Sequence, residues 1–452
     1  MNERSDASNT PGMIDRIARR LLEKRLDGMK RGLIHLTDDQ DKKCFGEKSD
    51  ISAAIDVRRP EFFRKAVLGG SLSVAESYLQ GDWDCDDLTS LFRIFLRNRQ
   101  SVSRLDSGIS RSVKFAHRLY HKAQANTRAG SRSNIAAHYD LGNDFFSLWL
   151  DETMAYSSGI FLTGHSTMTE ASTEKFDRIC RKLELKPNDR VIEIGSGWGG
   201  FAIHAVSNYG SRITTTTISK EQAKIARNRI EKSGLSDSVE LLESDYRDLT
   251  GKFDKLVSIE MIEAVGFRYL DDYFRKCSEL LSSDGSMVIQ AIVMPERGFV
   301  EYSKSVDFIQ RFVFPGGFLP SISAMLESAG RTTDLRLVHL EDFAPHYAQT
   351  LRLWRQAFRS RIDEVRSLGY DERFIRLWEY YLSYCEAGFE ERYIGVVQAQ
   401  FDKPLCHRNP IRITQQAAIG DSKRSQVDSS NRHAGQFGDT LTERNEFSAV
   451  SI

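Results

Sequence analysis

From residue 13 the chain reads MIDRIARRLLEKRLDGMKRG, in which Ile14, Ile17, Leu21 and Leu22 recur at helical spacing. The pattern predicts an amphipathic helix. Seven Lys/Arg against three Asp/Glu lie between Met13 and Gly32. Such a helix either rests on an anionic membrane surface or packs on its own domain with its basic residues in water. The stretch RRPEFFRKAVLGGSLSVAESYLQGDWDCDDL that follows mixes apolar and aromatic positions and predicts a small α+β domain ending near residue 100. Residues 101–133 then turn Ser/Arg-rich, with seven Lys/Arg against Asp106 alone, and predict a basic linker with a short helix over 109–120. Its one-sided charge would also suit lipid phosphates.

From 134 to 402 short apolar runs alternate with helical periodicity, which predicts an α/β domain on a mostly parallel sheet. Strands are expected at 191–194, 212–217, Val239–Leu242 and 254–259, each followed by a helix or turn. Leu270, Phe274, Cys277 and Leu281 have the spacing of a core-facing helix, so Cys277 reads as packing. Residues 403–452 are Ser/Asn/Gln/Arg-rich with few apolar positions and predict a disordered tail.

Composition narrows the function classes. A chain of 452 residues, 40% hydrophobic and 28% charged, can bury a large core. Its formal net charge of zero gives no global argument for nucleic acid. No apolar run reaches the roughly 18–20 residues of a membrane-spanning helix, and the polar start MNERSDASNTPG lacks a secretory centre. The six cysteines, at 44, 85, 180, 277, 385 and 406, form no CxxC pair. They predict neither a disulfide framework nor a metal site, and fit a reducing, cytoplasmic setting.

RVIEIGSGWGGFAIHAV carries the most chemistry. A buried strand through Val191, Ile192 and Ile194 runs into Gly195, Gly197 and Gly199, and an apolar helix starts at Phe201. Strand, glycine turn and helix aim backbone N–H groups at a ligand. The spacing Glu-x-Gly-x-Gly-x-Gly differs from the GxGxxG of dinucleotide folds. It predicts a Rossmann-like domain that binds S-adenosylmethionine, with Glu193 orienting the donor's ammonium. After the second strand, Thr217 and Ile218 stand where dinucleotide enzymes carry a ribose-binding acid. Gln222, in the capping pattern Ser219-Lys220-Glu221-Gln222, either takes the ribose or only caps the helix. Asp245 and Tyr246, at the carboxyl end of the third strand, are candidates for the adenine.

These segments resemble the cyclopropane-fatty-acyl-phospholipid synthases and mycolic acid methyltransferases over roughly residues 50–402. The resemblance rests on AAHYDLGNDFFSLWLDETMAYSSGIF, EIGSGWGG, TISKEQ, SDYRDL, EMIEAVGFRYLDDYF, SVDFIQRFVFPGGFLPS and APHYAQTLRLW in family order. It implies a methyl transfer from S-adenosylmethionine to a cis double bond of unsaturated phospholipid acyl chains, at the membrane surface. A bound bicarbonate would then remove a proton from the new methyl so that a cyclopropane closes. It implies that Tyr156 and Ser157 contact the donor, and that Glu263, Tyr347, Ser158, Gln290 and Ile292 surround the bicarbonate. Residues 51–100 are similar to the small domain that is thought to help engage lipid, and a homodimer is left open. Cys385 matches a cysteine traditionally labelled as active-site. However, Phe374, Leu377, Trp378, Tyr381, Cys385 and Phe389 form one helical stripe, which reads as wall, and the chemistry requires no nucleophile.

The chain departs from the common pattern at Ser158, where many members have Cys, at Gln290, where they have His, and at Ala264 after Glu263. Gln290 can donate a hydrogen bond but carries no charge. This Gln-type pattern resembles a branch that includes both ring-forming enzymes and enzymes that branch the chain without closing a ring. Methyl- or methylene-branching is therefore the alternative outcome.

Overall fold

The structure, a computed structural model, describes residues 12–39, 41–99, 130 and 142–407. The basic stretch 101–133, with its expected helix over 109–120, lies outside the described residues except for Gly130, as does the tail from 408. The described residues as far as Leu405 form one compact unit, and a second begins at Cys406, of which only Cys406 and His407 are described.

The chain opens with α1 (Met13–Leu26), followed by β1 (Gly32–Thr37), β2 (Lys42–Glu47) and β3 (Ser52–Val57). Then come α2 (Glu61–Leu68), α3 (Gly70–Leu79), β4 (Trp83–Cys85) and α4 (Leu88–Arg97). The four strands make a sheet in the order β2-β1-β3-β4, with β1 and β3 parallel and both outer pairings antiparallel. Alternation along β1, with Ile34 and Leu36 buried and His35 exposed, shows one covered face.

The helix α1 packs on its own domain by one face. It packs through Asp15, Ala18, Leu22 and Leu26, while Ile14, Ile17 and Leu21 remain 60%, 50% and 46% exposed. Three of the four apolar positions therefore point to water, flanked by exposed Arg16, Arg20 and Lys24.

The larger body begins with α5 (Asn143–Ser147) and α6 (Met168–Leu183). The alternating core follows as β5 (Arg190–Ile194), α7 (Gly200–Tyr209), β6 (Arg212–Thr216), α8 (Lys220–Lys232), β7 (Val239–Leu242), β8 (Phe253–Ile259), α9 (Leu270–Leu280) and β9 (Leu281–Val293). After them lie α10 (Glu296–Tyr302), α11 (Ile322–Thr332), β10 (Arg336–Asp342), α12 (Ala344–Ser360), α13 (Ile362–Ser367), α14 (Glu372–Glu390) and β11 (Gly395–Asp402). The sheet order is β10-β11-β9-β8-β5-β6-β7, parallel from β7 through β9 and antiparallel at the β11 edge. The parallel strands are covered on both faces, so they read as apolar runs: Val191, Ile192, Leu256 and Val257 are fully buried. Cys277 is buried in α9, as its spacing predicts. A parallel sheet gathers its ligand loops at the carboxyl ends of its strands, and here those are 195–199, 217–218, 244–246 and 260–263.

The small sheet is fastened to α14. The Arg376 guanidinium donates to the carbonyls of Tyr78 (2.6 Å) and Trp83 (2.7 Å) and to Asp84 (2.6 Å). Arg93 and Arg97 from α4 both reach Glu391, and Thr89 donates to buried Glu386, which also accepts from Arg355. Such multidentate guanidinium contacts fix orientation as well as proximity.

Candidate active site

A cavity of ≈ 620 Å³ starts at the glycine loop, passes Glu260 and Glu263, and ends among Leu22, Phe92 and Phe95 of the small domain. Its donor end is built by the loop between β5 and α7. Gly195 has φ +96°, and a side chain there would press on Met261 at 3.2 Å, so glycine is required. Gly199 differs from the other two loop glycines. It caps α7 at φ +85° and packs on Ala226 of α8, away from the cavity wall, so its part is to bring helix and helix together.

Tyr156, Ser157, Glu193, Gly195, Gly197 and Thr217 all line this end. Glu193 is 2% exposed and accepts a 2.6 Å hydrogen bond from the Thr215 hydroxyl. Burial pushes its carboxyl up to about 8, against the pull of Thr215 and Lys175. An ammonium placed beside it would restore the charge. Ile218 also lines the cavity. Gln222 does so too, but its side-chain oxygen accepts from Thr217 (3.1 Å), while Ser219 caps α8 through the Gln222 N–H. Gln222 thus holds Thr217, and the helix cap is Ser219. Asp245 and Tyr246 line the cavity, with the Asp245 carboxylate gripped by Arg247 at 2.6 and 2.8 Å.

Deeper in, the sequence-derived reading and the structure diverge. The residues expected around bicarbonate do converge, but on carboxylates of the chain itself. Glu260 Oε1 accepts from the Ser158 N–H (3.0 Å) and from Gln290 Nε2 (2.8 Å), and Oε2 accepts from the Tyr347 hydroxyl (2.7 Å). The Ile292 N–H donates to Glu263 Oε1 at 2.6 Å. The Ser158 hydroxyl is turned away and donates to the Gly159 carbonyl. Every expected donor is thereby engaged, and this donor set does not fit a separate bicarbonate. Glu260 was not singled out from the sequence. It follows a strand end as one acid of a pair, and only the uncharged donor at 290 hints that a charged acceptor stands opposite it.

The two acids differ. Glu263 Oε2 is buried and has no hydrogen-bond partner, and burial with the neighbouring Glu260 charge pushes Glu263 up to about 8. At neutral pH it is the protonated member. Burial also raises Glu260, but three donors and the Lys175 charge oppose that rise. The hydrogen bonds set the two apart: Glu260 accepts on both oxygens from three donors, whereas Glu263 Oε2 has none. Lys175, also missed, is fully buried in α6 and donates to the Ser157 hydroxyl at 2.6 Å.

Gln290 is itself oriented from behind. Lys182 donates to Gln398 Oε1 (2.6 Å), Gln398 Nε2 donates to Gln290 Oε1 (3.0 Å), and Gln290 is left with its NH₂ facing Glu260. The Tyr156 and Tyr381 hydroxyls meet at 2.9 Å across the cavity. Cys385 lines the wall on the same face of α14 as Tyr381, and burial pushes its thiol up, so it is not poised as a thiolate nucleophile. Among the described residues no cluster of His, Cys, Asp or Glu could hold a metal.

Residues 126–399 match the model of the mycolic acid cyclopropane synthetase family. The chain belongs to this family. Cyclopropane synthetases of this kind use S-adenosylmethionine, and the present chain is accordingly an S-adenosylmethionine-dependent methyltransferase with a Rossmann-like core. It is 36% identical to the tuberculostearic acid methyltransferase UfaA1 of Mycobacterium tuberculosis, over 84% of this chain and 90% of that one. It is 35% identical to the cyclopropane-fatty-acyl-phospholipid synthase of Escherichia coli K12, over 80% and 91%. Among solved structures it resembles the mycolic acid cyclopropane synthase CmaA1 complexed with SAH and CTAB. There the TM-score is 0.57 and the identity 32%, over 60% of this chain and 98% of that one. In this methyltransferase the cavity at the glycine loop also takes in the buried carboxylate pair Glu260 and Glu263.

Proposed function

We propose that this enzyme transfers the methyl of S-adenosylmethionine to a cis double bond of an unsaturated phospholipid acyl chain, with proton loss closing a cyclopropane. The observation that carries this reading is the continuity of the cavity. It joins the donor loop to Phe92, Phe95 and Leu22 of the small domain, an apolar path suited to an alkyl chain. An alkene is a weak nucleophile, so the reaction needs a dry site with aromatic faces and fixed negative charge near the developing cation. Tyr156, Phe314 and Tyr381 supply the faces and Glu260 the charge.

The test is incubation of the full chain with unsaturated phosphatidylglycerol vesicles and methyl-deuterated donor. Ring closure leaves two of the three deuterons and no olefinic signal. A methylene branch also leaves two but carries them as exomethylene deuterons in deuterium NMR, and a saturated methyl branch requires a reductant and retains three deuterons if the cation is reduced directly or two if a methylene is reduced. Label recovered only in a small polar acceptor would sink the lipid reading. Methylene-branching is the second reading. It is favoured by Gln290, a neutral donor that leaves the position of proton loss to the neighbouring carboxylate.

The lipid is reached from a membrane surface, in this reading, through α1. Among the described residues no helix is long and apolar enough to cross a membrane. The exposed Ile14, Ile17 and Leu21, beside Arg16, Arg20 and Lys24, suit the boundary between anionic headgroups and acyl chains. The opposite face of the same helix, at Leu22 and Leu26, lines the cavity. Burying one such side chain is worth about 1.5–3 kcal/mol. The double substitution Ile17→Asp with Leu21→Asp should weaken binding to anionic vesicles at least ~10-fold, with melting temperature unchanged. Undiminished vesicle sedimentation would refute this role for α1.

A further inference from the structure

We propose that the Glu260 carboxylate, rather than a bound bicarbonate, is the base that takes the proton from the substrate cation. The inference rests on the methyl transfer to an alkene proposed above and names the proton acceptor of that same site.

Three observations converge on it. The first is the donor set: Ser158 N–H, Gln290 Nε2 and Tyr347 OH all end on this one carboxylate, at 3.0, 2.8 and 2.7 Å. A small oxyanion bound here would have to displace Glu260 to reach them. The second is backbone strain. Glu260 has φ +49°, a left-handed conformation unusual for a residue with a side chain. Its N–H donates to the Gln290 carbonyl at 2.8 Å, so the conformation is fixed by the end of β9. Strained residues persist where surrounding structure over-determines them, and they cluster at functional sites. The third is the relay from Lys182 through Gln398 to Gln290. It fixes which end of the Gln290 amide faces the carboxylate, and so matches an uncharged side chain to a charged acceptor. A protein-held carboxylate also removes the need to capture a small ion before each turnover.

The step balances. The alkene π pair forms a bond to the transferred methyl carbon as that carbon's bond to sulfur breaks, giving S-adenosylhomocysteine and a cation on the adjacent carbon. Glu260 accepts a proton from the new methyl. The C–H pair left behind closes the third side of the ring, or after a hydride shift forms the exomethylene double bond. Glu260 then returns its proton to solvent. No oxidant or reductant is needed.

The experiment compares wild type, Glu260→Gln and Glu260→Gly in carbon-dioxide-free buffer with and without added bicarbonate. Label transfer to vesicles and binding of ¹³C-bicarbonate by NMR are followed in parallel. The inference expects wild-type turnover to be indifferent to bicarbonate and the wild type to bind none at this site. It expects Glu260→Gln to lose at least ~100-fold in turnover, the typical scale of a general base, with donor affinity retained. In Glu260→Gly glycine suits φ +49°, which offsets part of the cost of leaving three donors without their acceptor, and added bicarbonate should raise the melting temperature. This variant should bind bicarbonate and regain turnover with it. Wild-type turnover that falls without bicarbonate, bicarbonate bound by the wild type, or near-normal turnover in Glu260→Gln would each overturn it. A wild type that labels no lipid would count against the alkene reading alone. The bicarbonate-binding comparison would still decide whether Glu260 fills the oxyanion position.

Discussion

Substituting Glu193 with alanine is expected to weaken S-adenosylmethionine binding by roughly 10- to 100-fold. A charge-assisted hydrogen bond is worth about 1.5–3 kcal/mol, and a factor of ten corresponds to about 1.4 kcal/mol. Glu193 is the acid at the end of β5, buried beneath the glycine loop and backed by Thr215 at 2.6 Å. Removing it leaves Thr215 without that acceptor but breaks no helix or strand pairing, so the fold should survive. Saturating donor should restore much of the turnover, because the proposed reaction places the reacting carbons at the other carboxylates. A donor affinity unchanged by calorimetry would refute this assignment.

The same residue makes donor binding depend on pH. In the donor-free protein burial holds the Glu193 carboxyl at about 8. A cationic ammonium favours the ionised form and lowers that value, so binding expels a proton at any pH between the bound and free values. Affinity should therefore rise as pH is raised from about 6 toward 8, by up to about tenfold per unit. Glu193→Ala should flatten the slope. Calorimetry in buffers of different ionisation enthalpy reads the released proton directly. Folding follows the same linkage with the opposite benefit. Glu193 and Glu263 are raised to about 8 from an ordinary 4.5. Their contribution to stability is full below 4.5 and lost as pH climbs through 8, so the donor-free protein should melt lower at pH 8 than at pH 5.

The elements that could be read from sequence are those whose pattern has one physical cause. Buried parallel strands need apolar runs, and β5, β6, β7 and β8 fall within a residue of expectation. The Glu-x-Gly-x-Gly-x-Gly spacing needs no tertiary information, because backbone approach to a ligand demands glycine. For α1 the pattern of MIDRIARRLLEKRL leaves a membrane surface and packing on its own domain both open, and does not show that the packed face holds Asp15, Ala18 and Leu26. Asp15, which lies on the packed face, weakens the apolar signal there. Glu260 was hidden because an acid beside another acid at a strand end looks like solvated charge. Only the contacts to Ser158, Gln290 and Tyr347, about 30 to 100 residues away, give it meaning. Lys175 left a trace that was not used. It sits between Ala171 and Ile179 in the buried stripe of α6, a place where a charge must find a partner.

That lysine leads to the second large effect: Lys175→Met should lower turnover near pH 7 by about tenfold and move the acid limb of the pH–rate profile upward. Lys175 is fully buried, its Nζ lying 4.3 Å from the Phe176 ring centroid and 2.6 Å from the Ser157 hydroxyl. Burial lowers its pKa to about 8, while Glu260, Asp151 and Glu193 pull the other way. It is therefore a cation shared by the donor-side and acceptor-side carboxylates. Lys175 is one of the groups that hold the Glu260 carboxyl down against burial, and losing an opposite charge raises a carboxyl. Glu260 would then be a carboxylate for less of the time. Methionine keeps the length of the side chain and relieves the desolvation of an ammonium. The stability penalty should consequently be small near pH 6, where Glu193 is already protonated, and should grow toward pH 9, where the carboxylates are ionised without a partner. A merely structural lysine would lower stability without moving the profile. An unshifted acid limb in Lys175→Met would show that its charge does not act on Glu260, the proposed base.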